Sequence, residues 1–473
     1  MTTSAAGIPS MALVLEGKTK IFVPADSLQS KVATKREPVF FNPAAEFNRD
    51  ISIIAYSSFL SKPDVGFCGD KSNRRKYGRN EVVMADALCG SGARGLRVAV
   101  EAIGIDKIYF NDVNPLAVEL AKKSSAINQI GNRCFFSVSD VCKFLLNGTV
   151  QKKDPSTNTQ YPVNKKENSG ERFTIVDLDP FGSPANYIDC VMRSVENGGL
   201  VSITATDTAV LCGKYPDVCL RKYYGMPLSN SYSNEIALRL LISLLALTSS
   251  RLGISIRPLF SHTNMHYIRT YVQATLSSKM ANSVFDNIGY IQHCFQCGNR
   301  TTSSLGNKAV ACELCSASLK TAGWLWTGKI YDKVFVKEMM DRIYLLNDRI
   351  SDRVNSNLQE DVKVSARQDS NSEKTREDSR SQDRKQSLRG ESKSKKLRVI
   401  QRLLSKCIEE YDDIPFYFTS DEIASKLKMG PPSLETIIDN LSKAGFRTSL
   451  TGLNPTGFKT VAKVNEVMLL LKR

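Results

Sequence analysis

The sequence predicts an α/β fold, with a mostly parallel, doubly wound sheet, a small cysteine-rich element and a C-terminal α+β module. Three observations predict it. Between Val82 and Ala205, short β-branched runs alternate with helical patterns, as repeated βαβ units do. Between residues 289 and 330, four cysteines cluster as two CxxC pairs. From Leu397 onward, helical patterns lead into a strand pair.

The elements follow in order. Met11 to Pro24 (MALVLEGKTKIFVP) is two apolar runs around Glu16-Gly17-Lys18, a hairpin pattern. Asn48-Arg49-Asp50 precedes the apolar positions Ile51, Ile54, Ala55 and Phe59, which places it at a helix N-terminus with Asp50 as a cap. Val82–Leu88 is the first strand of the sheet, followed by Gly90-Ser91-Gly92-Ala93-Arg94-Gly95 and a helix from Leu96. Lys107–Asn111 is the second strand, ending at Asp112, and Asn114-Pro115 opens a helix to about Asn128. Phe135–Val138 is the third, ending at Asp140 before another helix. Residues 150–171 are polar and read as a surface loop. Ile175–Leu178 is the fourth strand and runs into Asp179-Pro180-Phe181-Gly182-Ser183-Pro184. A helix over Ala185–Asn197, a turn at Gly198-Gly199 and a fifth strand over Leu200–Ala205 follow. Residues 208–233 read as irregular and basic, and a helix runs from about Asn234 to Leu252. Ile254–Phe260 and His266–Leu276 are two strands joined by a short loop, hence antiparallel. Helical patterns run from Asp332 to about Leu358, and Arg367–Ser387 holds no aliphatic or aromatic residue, so it is expected to be disordered.

Composition narrows the function. The 473 residues are 42% hydrophobic and 24% charged, ordinary for a globular chain. Lys and Arg total 64 against 48 Asp and Glu, a net charge of +16, which favours a polyanionic partner, nucleic acid above all. No run approaches the ~20 apolar residues of a membrane span, and no signal peptide is evident. A chain with no membrane segment and no export signal is expected in the cytoplasm, and its scattered cysteines are expected as reduced thiols.

Chemistry concentrates in three motifs. G-x-G-x-x-G after a strand and before a helix, with Asp112 about 20 residues on, fits an adenosine-bearing cofactor. Asp112 would take the ribose hydroxyls. Asp140 would reach the adenine amino group through its carboxylate and Val141 would follow with its backbone N–H, although Asp140 equally suits a helix N-cap. Asp179-Pro180-Phe181 sits where open α/β sheets bind ligands, at the carboxyl ends of strands. A carboxylate and a free carbonyl can accept the N–H protons of an aromatic amine and localise its lone pair, and proline at 180 brings no N–H of its own. Amino-group methylation uses such a site, whereas hydride transfer does not, so S-adenosylmethionine is favoured over a nicotinamide dinucleotide. Third, Cys294-x-x-Cys297, fourteen residues, then Cys312-x-x-Cys315 supplies four thiolates to one zinc ion with no position left for water, a structural site. His293 is expected to be a bystander, and His262 and His266 packing or surface residues. Arg74–Arg79 (RRKYGR) and Arg221-Lys222-Tyr223-Tyr224 suit phosphate and base contacts.

FFNPAAEFNRD, GSGARGLR, NDVNPLA, DLDPFGSP, TATDTAVLCG, CLRKYYGMPL and NPTGFKT, in this order, resemble the tRNA guanine-26 N2-dimethyltransferases, the archaeal members most closely. The resemblance implies a class I (Rossmann-like) methyltransferase domain, S-adenosylmethionine as donor, and one or two methyl transfers to N2 of that guanine in tRNA. It places Arg49, Gly90, Gly92, Arg94, Asp112, Asp140 and Val141 on cofactor-binding positions. Asp179 falls on the catalytic aspartate beside Pro180, and Phe40 and Phe181 fall on aromatics near the reacting base. It also implies an archaeal-type cell. The expected domains are 1–285 (methyltransferase), 286–335 (zinc ribbon), 336–396 (helix and charged linker) and 397–473 (a winged-helix-like tRNA-binding domain). No obligate protein partner is expected. Two other readings stay open: an N2-guanine methyltransferase for another tRNA position, and a non-catalytic tRNA-binding or folding factor.

Overall fold

A computed structural model describes residues 10–28, 39–61, 81–147, 172–264, 266–345 and 395–472. The expected loop at 150–171, the charged stretch 367–387 and the basic run 74–79 lie outside the described residues.

β1 (Met11–Glu16) and β2 (Thr19–Pro24) form the expected antiparallel hairpin. The central sheet holds β3 (Val83–Asp86), β4 (Lys107–Asp112), β5 (Cys134–Val138), β6 (Phe173–Leu178), β7 (Val195–Ala205), β8 (Ile254–Asn264) and β9 (Tyr267–Leu276). Their order is β5-β4-β3-β6-β7-β9-β8. β3 to β7 pair parallel, while β9 enters antiparallel between β7 and β8. Chain reversal at β3, whose neighbours are β4 and β6, opens a crevice at the carboxyl ends of those strands. Ile268 pairs with Ala205, so the β8–β9 turn reaches the same edge.

Several boundaries differ from expectation. The helix Glu46–Leu60 begins before the NRD run, because Asn42 caps a short turn over Pro43–Ala45 that leads into it. Asp50 is therefore inside the helix, where it pairs with Arg97 at 2.7 Å rather than capping. The helix after the glycine loop starts at Ala93. Asn114 caps the helix Pro115–Ile127 as expected, accepting from Leu116 N at 3.0 Å. The helix after Pro184 is shorter than expected, Ile188–Ser194, because the chain enters β7 at Val195 and carries Gly198-Gly199 within the strand. The segment expected to be irregular contains two short helices, Thr208–Leu211 and Pro216–Tyr223. Of the helical pattern after Asp332, residues 333–345 are described and helical.

Two helices lie almost wholly inside. Ser233–Ser250 buries Ile236, Leu238, Leu240, Leu241 and Leu245 completely, each contributing about 1.5–3 kcal/mol. Glu46–Leu60 buries Ile51, Ile54, Tyr56 and Phe59.

The cysteine-rich segment forms a second sheet, β11-β10-β12, from β10 (Ile288–His293), β11 (Arg300–Ser304) and β12 (Lys320–Trp326). After helical residues 395–409 comes a third, β13-β15-β14, built from β13 (Phe418–Thr419), β14 (Thr448–Leu450) and β15 (Gly457–Thr460). The helices Ser420–Leu427, Leu434–Lys443 and Val464–Leu471 accompany it, the last unforeseen. Lys459 on β15 is fully buried, and its ammonium lies 2.7 Å from Glu235 and 2.9 Å from Glu410. Arg300 lies between the rings of Tyr232 and Phe418, at 4.4 and 4.1 Å from their centroids, and pairs with Glu422. Both contacts tie the C-terminal module to the helix Ser233–Ser250 region and the second sheet.

The cysteines depart from expectation at one pair. Cys142 and Cys190 form a disulfide, because the helices Val141–Asn147 and Ile188–Ser194 bring their Cα atoms to 5.4 Å, inside the range a bridge spans.

Candidate active site

The glycine loop follows β3. Gly90 and Gly92 have φ of +52° and +78°, conformations that other residues adopt at a cost. Gly95 is required for packing, since an added Cβ would lie 2.4 Å from the Phe110 ring and 2.8 Å from the Asp86 carboxylate. Asp112, at the end of β4, braces the loop: one oxygen accepts from Gly90 N and the other from Asn114 N, both at 2.9 Å. Asp140 caps the next helix, accepting from Cys142 N and Lys143 N at 3.0 Å. Val141 is the buried first residue of that helix.

Arg49 is buried. Its Nε and Nη2 meet the two carboxylate oxygens of Glu16 at 2.6 and 2.5 Å, and Nη2 also reaches Asn42 O at 3.1 Å. Burial opposes ionisation of Glu16, but Arg49 and Arg97 outweigh it and hold the carboxyl below its ordinary range. This pair fastens the hairpin to the helix Glu46–Leu60.

Asp179 sits at the mouth, half-buried, and its Oδ2 accepts from Arg94. Arg94 does much more than lie beside the glycine loop. Its Nε is 2.9 Å from Asp177, and its Nη1 donates to Asn48 Oδ1 at 3.0 Å and Ser52 Oγ at 2.6 Å. Asp177 is fully buried. It is met by Arg269, by Ser202 Oγ at 2.7 Å and by Tyr56 Oη at 2.9 Å. Burial would push the Asp177 carboxyl up, but Arg269 and Arg94 hold it down. Arg269 is itself fixed by Thr204 Oγ1 at 2.5 Å and Tyr271 Oη at 2.9 Å. Asp86 lies below the loop, accepting from Gly95 N at 3.0 Å, and burial and then Asp177 push it up to about 7. Two guanidinium groups thus face Asp177 and Asp179, with the raised Asp86 carboxyl beneath the loop.

Phe40 and Phe181 meet at the rim. Their ring centroids are 4.4 Å apart at 87°, and Phe181 is 60% exposed. The turn that carries Phe181 is bound to the end of β7. Gly182 N donates to Thr206 Oγ1 at 2.6 Å, and Thr206 N donates to Gly182 O at 2.9 Å. Ser183 Oγ donates to Tyr223 Oη at 2.8 Å, which donates to Asp207 Oδ1 at 2.6 Å. Pro180 is buried between Asp179 and this rim.

Structure therefore brings Asp179, Phe181, Phe40, Arg94, Gly90 and Asp112 to one crevice, and gives Arg49 and Asp140 local partners. Sequence reading missed Asp177, Arg269, Tyr56, Asp86 and Thr206. Asp177 left a signal, a charge inside the apolar run IVDL, and such residues are rarely fully buried unless paired. His262 is buried and stacked with Phe260 and Tyr271 at centroid distances of 5.5 and 6.2 Å.

Away from the crevice, the Sγ atoms of Cys294, Cys297, Cys312 and Cys315 lie within 4.8 Å of one another. Four sulfurs so close, on two turns that flank β11, suit one tetrahedral zinc ion. His293 stays outside this set: its Nδ1 faces Tyr232 Oη at 3.3 Å, and burial and then Arg300 push it down to about 4. No helix among the described residues is long and apolar enough to cross a membrane.

Comparison with known proteins bears on this arrangement. The model of the N2,N2-dimethylguanosine tRNA methyltransferase family matches residues 17–366 and 379–472. A tRNA (guanine(26)-N(2))-dimethyltransferase of Methanothermobacter thermautotrophicus is 32% identical, over 97% of this chain and 97% of that protein. The corresponding protein of Methanosphaera stadtmanae is 31% identical, over 97% of this chain and 96% of its own length. Among solved structures, Trm1 from Pyrococcus horikoshii in complex with S-adenosyl-L-methionine shares the fold, with a TM-score of 0.69 and 22% identity, over 97% of this chain and 99% of that one.

Proposed function

The chain belongs to the N2,N2-dimethylguanosine tRNA methyltransferase family, and from that premise we propose that its crevice methylates the exocyclic N2 of guanine 26 in tRNA, using S-adenosylmethionine. The observation that carries the site assignment is Asp179, held by Arg94 at the crevice mouth between the glycine loop and the paired rings of Phe40 and Phe181.

The residues present fit the cofactor. The left-handed glycine loop leaves backbone room beside Asp112, the arrangement that adenosine cofactors use. Gly90, Gly92, Asp112, Asp140 and Val141 would hold it, with Arg94 beside them. Arg49 would act by fixing the hairpin and, through Asn42 O, the FFNPAAEF run that begins at Phe40. When bound, S-adenosylmethionine supplies a methyl group on a sulfonium centre.

The chain's own residues do the rest. Arg94 holds one oxygen of Asp179, leaving the other for the guanine amine. The Pro180 carbonyl is a second acceptor, with no N–H beside it to compete. Two acceptors on the amine's protons turn its lone pair out of the ring plane, and the carboxylate takes up the proton as the new N–C bond forms. Phe40 and Phe181 fix the plane of the base. Positioning of this kind supplies much of the rate in a direct transfer.

The remaining parts read as support. Residues 1–285 form the methyltransferase domain and 286–335 a zinc ribbon, with the four cysteines holding a structural ion. Of the expected segment 336–396 most lies outside the described residues, and the C-terminal unit from 397 is a winged-helix-like module that widens the basic face for tRNA. The enzyme works in the cytoplasm. Nucleoside mass spectrometry with position mapping tests the reading. Unmodified tRNA treated with protein and S-adenosylmethionine gains N2-methylated guanosine at position 26, and Asp179→Ala abolishes the gain while keeping tRNA binding. Methylation elsewhere, or none, would reject it.

A further inference from the structure

Tyr224 has a backbone conformation uncommon for its side chain. It follows the helix Pro216–Tyr223 with φ +55°, in the left-handed region that residues with a bulky side chain rarely adopt. Such outliers point to function when the surroundings enforce them. Here they do. On one side, Tyr223 is bolted to the catalytic turn through Ser183 and to Asp207. On the other, Met226 and Gly323 of β12 exchange backbone hydrogen bonds of 2.7 and 2.9 Å. An added Cβ at Gly225 would lie 2.4 Å from Trp324 O. The result is a tyrosine ring 62% exposed, on backbone adjoining that of Trp324, itself 42% exposed.

The contacts continue. Trp324 Nε1 donates to Tyr290 Oη at 2.8 Å, and the Lys308 ammonium lies 6.0 Å from the Tyr290 ring centroid. At the start of the helix Pro216–Tyr223, Tyr215 is 49% exposed with the Lys214 ammonium 5.7 Å from its ring centroid. Arg221 is exposed on the same short helix. Exposed rings and cations thus lie on the short helix bolted to the catalytic turn and on the cysteine-rich sheet that adjoins it.

We propose that this strip is the track for the RNA strand beside the target base: Tyr224 and Trp324 stack on unpaired bases, and Lys214, Arg221 and Lys308 meet phosphates. The inference rests on the proposed function and adds to it a location and a contact chemistry. Rings interleaved with cations suit single-stranded RNA, and the net charge of +16 favours a polyanion over an apolar protein surface.

The chain supplies its own reporter. Of its two tryptophans, Trp326 is 5% exposed with Nε1 donating to Lys329 O, so Trp326→Phe leaves Trp324 as the single emitter. Acrylamide quenching of that variant is measured with and without unmodified tRNA. In parallel, tRNA and S-adenosylhomocysteine affinities are measured for Tyr224→Asn, in which asparagine keeps the left-handed conformation without the ring, and for Trp324→Ala. The track predicts that tRNA shields Trp324, and that each ring removed weakens tRNA binding about tenfold with S-adenosylhomocysteine affinity unchanged. Parent-strength tRNA binding with Trp324 still open to quencher overturns the track and leaves the proposed function standing. Shielding that rises with protein concentration in the absence of RNA assigns the strip to a second copy of the chain, and also overturns it. A parent protein that binds no tRNA rejects the proposed function itself, and the track with it.

Discussion

Arg94 is the residue whose replacement tests the crevice most directly. Its guanidinium is 7% exposed and meets Asp177, Asp179, Asn48 and Ser52. Arg94→Met removes the cation from between two carboxylates. Asp177 keeps Arg269, Tyr56 and Ser202, while Asp179 loses its partner. Breaking a buried pair from one side costs about 3–5 kcal/mol, and that is the expected loss in urea unfolding. Arg94→Lys keeps the charge but not the planar fork that reaches several acceptors at once. It should recover one charged hydrogen bond, about 1.5–3 kcal/mol. Turnover should separate from stability. With Asp179 no longer aimed, displacement by about 1 Å lowers single-turnover methylation by about 10²-fold in Arg94→Lys, even at saturating cofactor. The two assays together are decisive. If Arg94→Met unfolds within about 0.5 kcal/mol of the parent, or Arg94→Lys turns over at the parent rate, the guanidinium is not what positions Asp179.

Other expectations follow from the same geometry. Asp86 has its carboxyl raised from 3.8 to about 7 in the fold. The unfolded chain therefore releases this proton first as pH rises, and stability falls by about 1.4 kcal/mol per pH unit between those values. Asp86→Asn, which keeps an oxygen for Gly95 N, should flatten that slope, and an unchanged slope would refute the assignment. One zinc per chain, about one equivalent by elemental analysis, should accompany reduced protein prepared without chelator. Its removal should loosen the C-terminal module, because Lys463 pairs with Glu313 at 2.9 Å, beside the second cysteine pair. Non-reducing peptide mapping should recover Cys142 joined to Cys190. Cys142→Ser should then lower stability by about 2–4 kcal/mol, and an equal stability would show the bridge to be absent in solution.

The strands and their succession along the chain were legible because they rest on local pattern, whereas their order in the sheet was not read. The β-branched runs, the Gly-rich turn and Asn114-Pro115 each carry their own structural reason within a few residues. The short loop before Tyr267 implied an antiparallel pair, and the structure places that pair at the end of the sheet, β9 beside β7. Boundaries slipped where a local signal had a competitor. Asp50 looked like a cap until Asn42 and Pro43 supplied an earlier start and Arg97 a partner. Gly198-Gly199 looked like a turn, and it lies within β7 at an irregularity, where pairing with β6 steps from Val195 to Leu200 and Gly198 has φ +79°. The disulfide was illegible because it depends on two helices packing across 48 residues of separation.

The site divides in the same way. Residues that face the crevice lie in short contiguous motifs, and those motifs could be read. The residues that aim them do not. Asp179 is set by Arg94, and Arg94 by Asn48, Ser52 and Asp177. Asp177 is set in turn by Tyr56, Ser202 and Arg269, and Arg269 by Thr204 and Tyr271. These come from the helix Glu46–Leu60, from the helix after the glycine loop, and from β6, β7 and β9. Each is unremarkable in its own stretch, a polar residue at an apolar position. Their meaning arises only when the sheet order brings the strands side by side, β7 between β6 and β9. The late antiparallel strand β9 therefore does more than finish the sheet. It delivers Arg269 under Asp177, and Arg269 together with Arg94 keeps that buried carboxylate charged. If Asp179 acts as proposed, β9 supports it from a distance, through Arg269, Asp177 and Arg94.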